Sequence, residues 1–188
     1  MDSTCIDPRD ISYRPTAIAD PPGIALVACG GITRAHCQAY AAAGYQVRVM
    51  CDLDLATAEA RRDEFYPHAT ATTDLAASLA RDDIAIVDIA AHPDARPALI
   101  RAALEAGKHV LSQKPFVTDL DLGEELCQLA EQRGLKLAVN QNGRWAPHWQ
   151  WTRNAVAAGL IGPVHSCNFA LSWDHNGVAD NSPFNRVQ

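Results

Sequence analysis

The apolar residues of this chain form short runs that alternate with longer amphipathic segments. Residues 24–28 and 47–51 are compact apolar runs, as expected of strands that are buried on both faces of a sheet. Residues 34–43 lie between them, are rich in alanine and stop at Gly44, which predicts a helix ended by glycine. The alternation continues with predicted helices over 55–65, 95–106 and 119–133, and predicted strands over 84–89, 109–111 and 136–139.

This alternation predicts the fold class. Strands that alternate with helices pair in parallel, because each helix carries the chain back to the end of the sheet at which the previous strand began. We therefore expect an α/β fold, a Rossmann-type doubly wound parallel sheet, over residues 23–145. Residues 1–22 contain four prolines and no sustained periodicity, which predicts an N-terminal arm over the surface.

The pattern changes after about residue 145, where all four tryptophans occur. Residues 148–158 read as a helix that ends before Gly159, and residues 164–173 read as one long strand. One strand cannot form a sheet by itself. Residues 146–188 are therefore predicted to be the beginning of an incomplete α+β second domain.

Composition narrows the class of protein. A hydrophobic fraction of 48% and a charged fraction of 20% are typical of a globular protein, and a net charge of −6 argues against nucleic-acid or anionic-membrane partners. No apolar run has the length of a membrane helix, and the N-terminus lacks a signal-peptide pattern, so we expect a cytoplasmic protein. The six cysteines show no zinc spacing, so we predict reduced thiols and no metal site.

The turn after the first predicted strand carries the first candidate chemistry. Gly30 and Gly31 lie between that strand and the helix that begins near Thr33, with Cys29 before them and Ile32 after them. A glycine at this point lets the backbone approach a pyrophosphate, and the N-terminus of the helix favours its negative charge. The usual fingerprint has three glycines, and here Ala28 stands at the first of these positions. A Gly-Gly pair can also simply form the turn between a strand and a helix, with no role in ligand binding.

Asp52 strengthens the dinucleotide reading. It ends the second predicted strand and follows Gly30 by about 20 residues, the spacing of the acid that binds the ribose hydroxyls. Its alternative role is an N-cap for the next helix. No arginine directly follows Asp52, which favours NAD, with NADP also possible. These features alone leave an S-adenosylmethionine-dependent methyltransferase open.

A longer stretch narrows the choice. Residues 106–116, Ala-Gly-Lys-His-Val-Leu-Ser-Gln-Lys-Pro-Phe, resemble the A-G-K-H-V-l-x-E-K-P signature of the glucose-fructose oxidoreductase and inositol dehydrogenase family, Gfo/Idh/MocA. Further segments agree in order, among them Cys51-Asp52, residues 142–147 and the Gly-Leu-Ile-Gly-Pro-Val run at 159–164. The resemblance extends from about Gly23 to at least Val164.

The resemblance implies a two-domain, NAD(P)-dependent oxidoreductase that moves a hydride between the nicotinamide and a sugar or cyclitol. It also implies a homo-oligomer in the full-length form. Lys114 matches the family lysine that lies beside the nicotinamide and the reacting hydroxyl, where it can polarise the substrate oxygen or relay a proton. The cofactor residues that we predict are Cys29, Gly30, Gly31, Ile32, Asp52, Ala91, His92, Gln113, Lys114 and Arg144.

The chain departs from the family pattern at three places. Gln113 stands where the family usually has glutamate, and Arg96 stands where histidine is common and is expected to be a solvated helix charge. The family's spaced aspartate and histidine lie beyond the first strand of the second domain, and Asp174-His175 is only an adjacent pair, expected to be solvated. A non-catalytic dinucleotide-binding module therefore stays open beside the enzyme.

Overall fold

A computed structural model describes residues 7–13 and 18–170 of the chain. The strands are β1 (Ile24–Val27), β2 (Val47–Cys51), β3 (Thr70–Thr72), β4 (Ile86–Ile89), β5 (His109–Gln113) and β6 (Leu137–Asn140). The α-helices are α1 (Thr33–Ala42), α2 (Leu55–Phe65), α3 (Leu75–Leu79), α4 (Arg96–Glu105), α5 (Leu120–Gln132) and α6 (Pro147–Ala157). Two short 3-10 helices cover Pro8–Asp10 and Asn142–Trp145.

The six strands form one sheet in the order β3-β2-β1-β4-β5-β6, and every pair is parallel. The strand β1 lies beside both β2 and β4, so the chain winds outward from the middle of the sheet in both directions. All four residues of β1 are buried, which explains the unbroken apolar run. The predicted doubly wound parallel sheet is confirmed.

Two apolar clusters, one on each face, hold the helices against the sheet. Successive strand residues point to opposite faces, so Ala25 and Val27 belong to one cluster while Ile24 and Leu26 belong to the other. The first cluster includes residues of α3, α4 and α5, and the second includes residues of α1 and α2. Both sheet faces are therefore covered, as a parallel sheet requires.

One strand and one α-helix were not predicted from the sequence, and one predicted strand is wrong over the residues that the structure describes. The strand Thr70–Thr72 and the five-residue helix Leu75–Leu79 were missed, because an outer three-residue strand of small and polar residues has no apolar run to mark it. Residues 164–170 are exposed and belong to no strand, and no strand partner for them occurs in the described residues. Residues 171–173 and the pair Asp174-His175 lie outside the described residues.

The chain divides into two compact units. One unit, Arg14–Trp149, contains the whole sheet. The other unit joins Met1–Tyr13 to Gln150–Gln188. Within it, the indole of Trp151 donates to the Pro8 carbonyl at 3.2 Å, so residues of the predicted arm are bonded to the last helix. Within the described ranges, no helix is both long enough and apolar enough to cross a lipid bilayer.

Candidate functional site

The residues selected from the sequence lie just after the carboxyl ends of five of the six strands. Cys29 to Ile32 follow β1, Asp52 follows β2, Ala91 and His92 follow β4, Gln113 ends β5, and Arg144 follows β6. Because all the strands are parallel, these carboxyl ends share one edge of the sheet. Ligands of doubly wound sheets bind in the crevice outside this edge, where the chain reverses its winding direction, here between β1 and β4.

The loop between β1 and α1 has open space where a ligand would approach. A Cβ atom built on Gly30 or on Gly31 would meet no atom within 4 Å, and neither glycine has a positive φ. Neither packing nor backbone conformation within the described residues therefore requires glycine here. No side chain caps the N-terminus of α1, so the positive end of the helix dipole faces the loop, although the Arg34 and Ala35 N–H groups donate to the Gly31 and Ile32 carbonyls. This arrangement fits a pyrophosphate.

Ala28, at the position of the first glycine of the fingerprint, has a left-handed backbone conformation. Its φ is 69°, in the left-handed region that costs an L-residue about 1–2 kcal/mol. The tight turn out of β1 is therefore present although its glycine is missing. A residue held in this region is a form of local strain that clusters at functional sites.

Asp52 holds the loop in place. Its Oδ2 accepts the backbone N–H of Cys29 at 2.6 Å, and its Oδ1 accepts that of Asp54 at 3.0 Å. The alternative N-cap role belongs to Asp54 instead, whose side chain accepts the N–H of Ala56 at the start of α2. The carboxylate thus lies beside the glycine loop, half-buried, at the end of the second strand.

Two donors fix the Gly30 carbonyl. The hydroxyl of Thr33 donates to it at 2.5 Å, and Nη2 of Arg61 donates to it at 3.0 Å. Thr33 is fully buried, so its hydroxyl needs this acceptor. Arg61 also pairs with Glu64 at 2.8 Å. Sequence reasoning missed Arg61, because its partner is 31 residues away and leaves no local signal.

Gln113 and Lys114 are joined by a short hydrogen bond at the end of β5. The backbone N–H of Lys114 donates to Oε1 of Gln113 at 2.7 Å. Gln113 is buried, while Lys114 is exposed and precedes a cis peptide bond to Pro115. The Gln113 amide therefore shapes the backbone from which the Lys114 side chain extends.

A buried polar network continues from Gln113 into the fold. Nδ1 of His36 lies 2.7 Å from Oδ2 of Asp88, and the Tyr40 hydroxyl donates to the same oxygen at 2.7 Å. Nε2 of His36 lies 3.2 Å from Nε2 of Gln113 and 3.1 Å from Nδ2 of Asn140. Burial raises the pKa of Tyr40, so this hydroxyl keeps its proton.

Of the residues in this network, only Gln113 was predicted from the sequence. A usable signal was the carboxylate between Val87 and Ile89, because a charge inside a buried strand needs polar partners. Those partners come from α1, which no spacing along the sequence reveals.

Arg96 is not the solvated helix charge that the sequence suggested. Only 2% of the residue is exposed, and the guanidinium donates to the carbonyl of Ala91 at 2.6 Å and to that of Pro115. Burial lowers its pKa from the ordinary arginine value. The side chain is buried because these two carbonyls, after β4 and after β5, face the same guanidinium. It therefore connects the two strand ends.

Three further predicted residues, Ala91, His92 and Arg144, occupy the same edge. The His92 side chain is exposed, and the His92 carbonyl accepts the Ala95 N–H at 3.2 Å in the turn into α4. Arg144 lies in the 3-10 helix after β6, with its guanidinium carbon 5.6 Å from the centre of the Trp145 ring. A cofactor contact for these residues and for Ala91 stays a prediction.

Comparisons with known proteins agree with this geometry. A sequence model of the GFO_IDH_MocA family, described as an oxidoreductase family with an NAD-binding Rossmann fold, matches residues 23–141. The chain is 31% identical to D-apiose dehydrogenase of Paraburkholderia graminis over 139 residues, and 34% identical to a myo-inositol dehydrogenase of Streptomyces leeuwenhoekii over 142 residues. These alignments cover 73% and 75% of this chain, but only 37% and 43% of those two proteins.

Solved structures give the same result. A 3-ketoreductase from Actinomadura kijaniata, in complex with TDP-benzene and NADP, superposes with a TM-score of 0.67 at 28% identity over 76% of this chain and 45% of that one. An NAD-binding oxidoreductase from Klebsiella pneumoniae has a TM-score of 0.70 at 26% identity, over 76% of this chain and 40% of that one. This chain thus spans less than half the length of these relatives.

Proposed function

The chain belongs to the GFO_IDH_MocA family of oxidoreductases, and on that premise we propose that it binds NAD at the carboxyl edge of its sheet for hydride transfer to or from a sugar or cyclitol. The observation that carries the proposal is the open cradle at Gly30 and Gly31 beside Asp52. Membership in an oxidoreductase family sets the methyltransferase alternative aside. NADP is the second candidate cofactor.

Each part of the edge would hold a different part of the cofactor. The loop of Gly30 and Gly31, with the uncapped start of α1, would take the pyrophosphate through backbone N–H groups. Asp52 would accept hydrogen bonds from the adenosine ribose, and its charge would repel the 2′-phosphate of NADP. The residues after β4 and β5, Ala91 and Lys114 among them, would flank the nicotinamide.

The bound nicotinamide would supply hydride chemistry, which no amino-acid side chain provides. The contribution of this chain is alignment and proton handling. Nζ of the exposed Lys114 would donate a hydrogen bond to the substrate oxygen, which polarises the carbon–oxygen bond. In alcohol oxidation the neutral amine form of Lys114 would take up the hydroxyl proton and become the ammonium, and in carbonyl reduction the ammonium form would give that proton back to the substrate oxygen.

The substrate class comes from the relatives. One relative is named for apiose and another for myo-inositol, and both substrates carry several neighbouring hydroxyl groups. We therefore propose that the substrate is a polyhydroxylated sugar or cyclitol. A second candidate is a dinucleotide-binding module without turnover, because Gln113 stands where the family usually has glutamate.

The cofactor proposal is tested by calorimetric titration of the chain with NAD and with NADP. We expect tighter binding of NAD, and a loss of about 10-fold in NAD affinity for Asp52→Asn, the scale of one charge-assisted hydrogen bond. The same substitution should narrow the gap between NAD and NADP, because it removes the charge that repels the 2′-phosphate. Asp82→Asn is the matched control, since Asp82 is exposed and precedes β4 at the opposite edge of the sheet.

Turnover is tested separately by NADH absorbance with a panel of sugars and cyclitols. NADH formation that disappears in Lys114→Met supports the enzyme. NAD binding without NADH formation from any substrate supports the binding module. A folded chain that binds neither dinucleotide contradicts the proposed function altogether.

A further inference from the structure

Both ring nitrogens of His36 have hydrogen-bond partners within the unit that contains the sheet. One nitrogen, Nδ1, faces Oδ2 of Asp88 at 2.7 Å, and the other, Nε2, faces the side-chain amides of Gln113 and Asn140 at 3.2 and 3.1 Å. The residue is 7% exposed, and Asp88 is fully buried. An imidazole with a partner for each nitrogen has its proton positions set by those partners.

The orientation of the Gln113 amide is fixed from outside the network. Its Oε1 accepts the backbone N–H of Lys114 at 2.7 Å, and a backbone N–H can only donate. The amide oxygen must therefore face Lys114, which leaves the amide NH₂ to face Nε2 of His36. Nε2 consequently accepts a hydrogen bond and carries no proton.

The other side of the ring gives the same assignment. The Tyr40 hydroxyl and Nδ1 of His36 meet on a single oxygen of Asp88, and a carboxylate oxygen can accept from both. The second oxygen of Asp88 is buried and has no hydrogen-bond partner among the described residues. Nδ1 therefore donates to the shared oxygen, and His36 is neutral with its proton on Nδ1.

We propose that neutral His36 is a positioning residue for Lys114, acting through the side-chain amide of Gln113, and this role rests on the proposed function of Lys114. Asp88 and Tyr40 fix the proton on Nδ1, Nε2 then fixes the Gln113 amide, and the amide oxygen anchors the Lys114 backbone. The chain of contacts connects α1 and β4 to the end of β5. Asn140 gives Nε2 a second donor from β6.

The same geometry gives a reason for glutamine at position 113. A glutamate there would place a carboxylate oxygen opposite Nε2, so two acceptors would face each other unless His36 took up a second proton. Glutamine is compatible with the neutral ring. The titratable hydrogen-bond partners of the ring are Asp88 from β4 and, through that carboxylate, Tyr40 from α1, while β5 and β6 present uncharged amides.

The proton positions are tested by ¹⁵N NMR of the full chain with labelled histidine, without cofactor, at neutral pH. The His36 signals are assigned as those lost in His36→Gln. We expect a protonated Nδ1 and an unprotonated Nε2 in the wild type, and a protonated Nε2 in Gln113→Glu. Gln128→Glu, the same change on the exposed face of α5, should leave the His36 signals in place. A wild-type proton on Nε2, or Gln113→Glu with unchanged His36 signals, overturns the proposal.

The effect on Lys114 is tested by amide hydrogen exchange. His36→Phe removes the acceptor for the Gln113 amide, so the Lys114 N–H should exchange about 10-fold faster, the scale of one buried hydrogen bond. The Ala90 N–H, bonded to the Val27 carbonyl at 2.9 Å, is the internal reference and should not change. Equal exchange at Lys114 in the two proteins contradicts the positioning role. If His36→Phe does not fold, the same comparison is made with the smaller His36→Ala, which also removes the acceptor for the Gln113 amide and should give the same faster exchange at Lys114.

Both readouts are taken without a dinucleotide. A failure of NAD binding would therefore contradict the proposed function and leave the His36 result standing. A failure of the His36 tests would leave the cofactor proposal intact.

Discussion

Gly23 and Gly30 lie on either side of β1, and alanine should have opposite consequences at the two positions. A Cβ on Gly23 would lie 2.0 Å from the Asp83 carbonyl oxygen, which is backbone and cannot rotate away. The Gly23 carbonyl also accepts the N–H groups of Ala85 and Ile86, at 3.0 and 3.2 Å, which holds the two segments together. Gly23→Ala must therefore displace β1 from β4.

The expected cost of Gly23→Ala is at least the roughly 1–3 kcal/mol of an overpacked core. A small domain has only about 5–15 kcal/mol of stability, so the loss is easily measured. A Cβ at Gly30 would meet no atom within 4 Å, and Gly30 does not have a positive φ. The free energy of unfolding of Gly30→Ala should therefore equal that of the wild type or exceed it by up to about 1 kcal/mol, because alanine restricts the unfolded chain.

NAD affinity, unlike stability, should fall in Gly30→Ala. The methyl group added by this substitution would occupy the space proposed for the pyrophosphate. The loss of one hydrogen bond to a charged group costs about 1.5–3 kcal/mol, or roughly 10- to 100-fold in affinity. Urea denaturation followed by circular dichroism measures the stability of both variants, and calorimetry measures NAD affinity. A stable Gly23→Ala would refute the packing argument, and a Gly30→Ala that binds NAD like the wild type would refute the cradle.

Two other changes test the buried charges and thiols. Burial raises the pKa of the Cys29 thiol to about 12, so this thiol stabilises the folded state below its unfolded value near 9 and loses that contribution as pH rises towards 12. Urea titrations should show a decline in stability from pH 8 to pH 10 that is smaller by about 1.5 kcal/mol in Cys29→Ala, and an equal decline would contradict the assignment. Arg96→Lys should lower the free energy of unfolding by about 1.5–3 kcal/mol, because one ammonium cannot replace a fork that reaches two carbonyls. Arg101→Lys is the control, because the partly exposed Arg101 makes a surface ion pair with Glu125, and it should change stability by less than about 0.5 kcal/mol. Equal effects of the two substitutions would contradict the role of the two carbonyl contacts of Arg96.

The sequence was most informative where periodicity and backbone requirements coincide. The unbroken apolar run of β1 and the glycines on both sides of it predicted the central strand, the loop and the edge at which Asp52 lies. Local patterns could not reveal contacts made across the fold. Arg96 was misjudged for this reason, since its two carbonyl partners follow different strands.

The missed elements have a related explanation. The strand Thr70–Thr72 is an outer strand with little apolar character, so its pairing with β2 depends on backbone hydrogen bonds that any sequence can make. The predicted strand at 164–173 had suitable alternation, but its described residues have no neighbouring strand with which to pair. Alternation reports which face of a strand is buried, and it does not report whether a partner strand exists.

The central place of β1 in the sheet has a consequence for the order in which the protein is made. The strand β1 leaves the ribosome about 60 residues before its neighbour β4, an interval of roughly 3 to 12 s at ordinary translation speeds. During that interval β1 can pair with β2, while its other edge, which is apolar and destined for burial, has no partner. An open strand edge of this kind can pair with another nascent chain. Slower translation between β3 and β4 would therefore lengthen the time for which this strand edge is open, and a chaperone that acts in that interval would cover it.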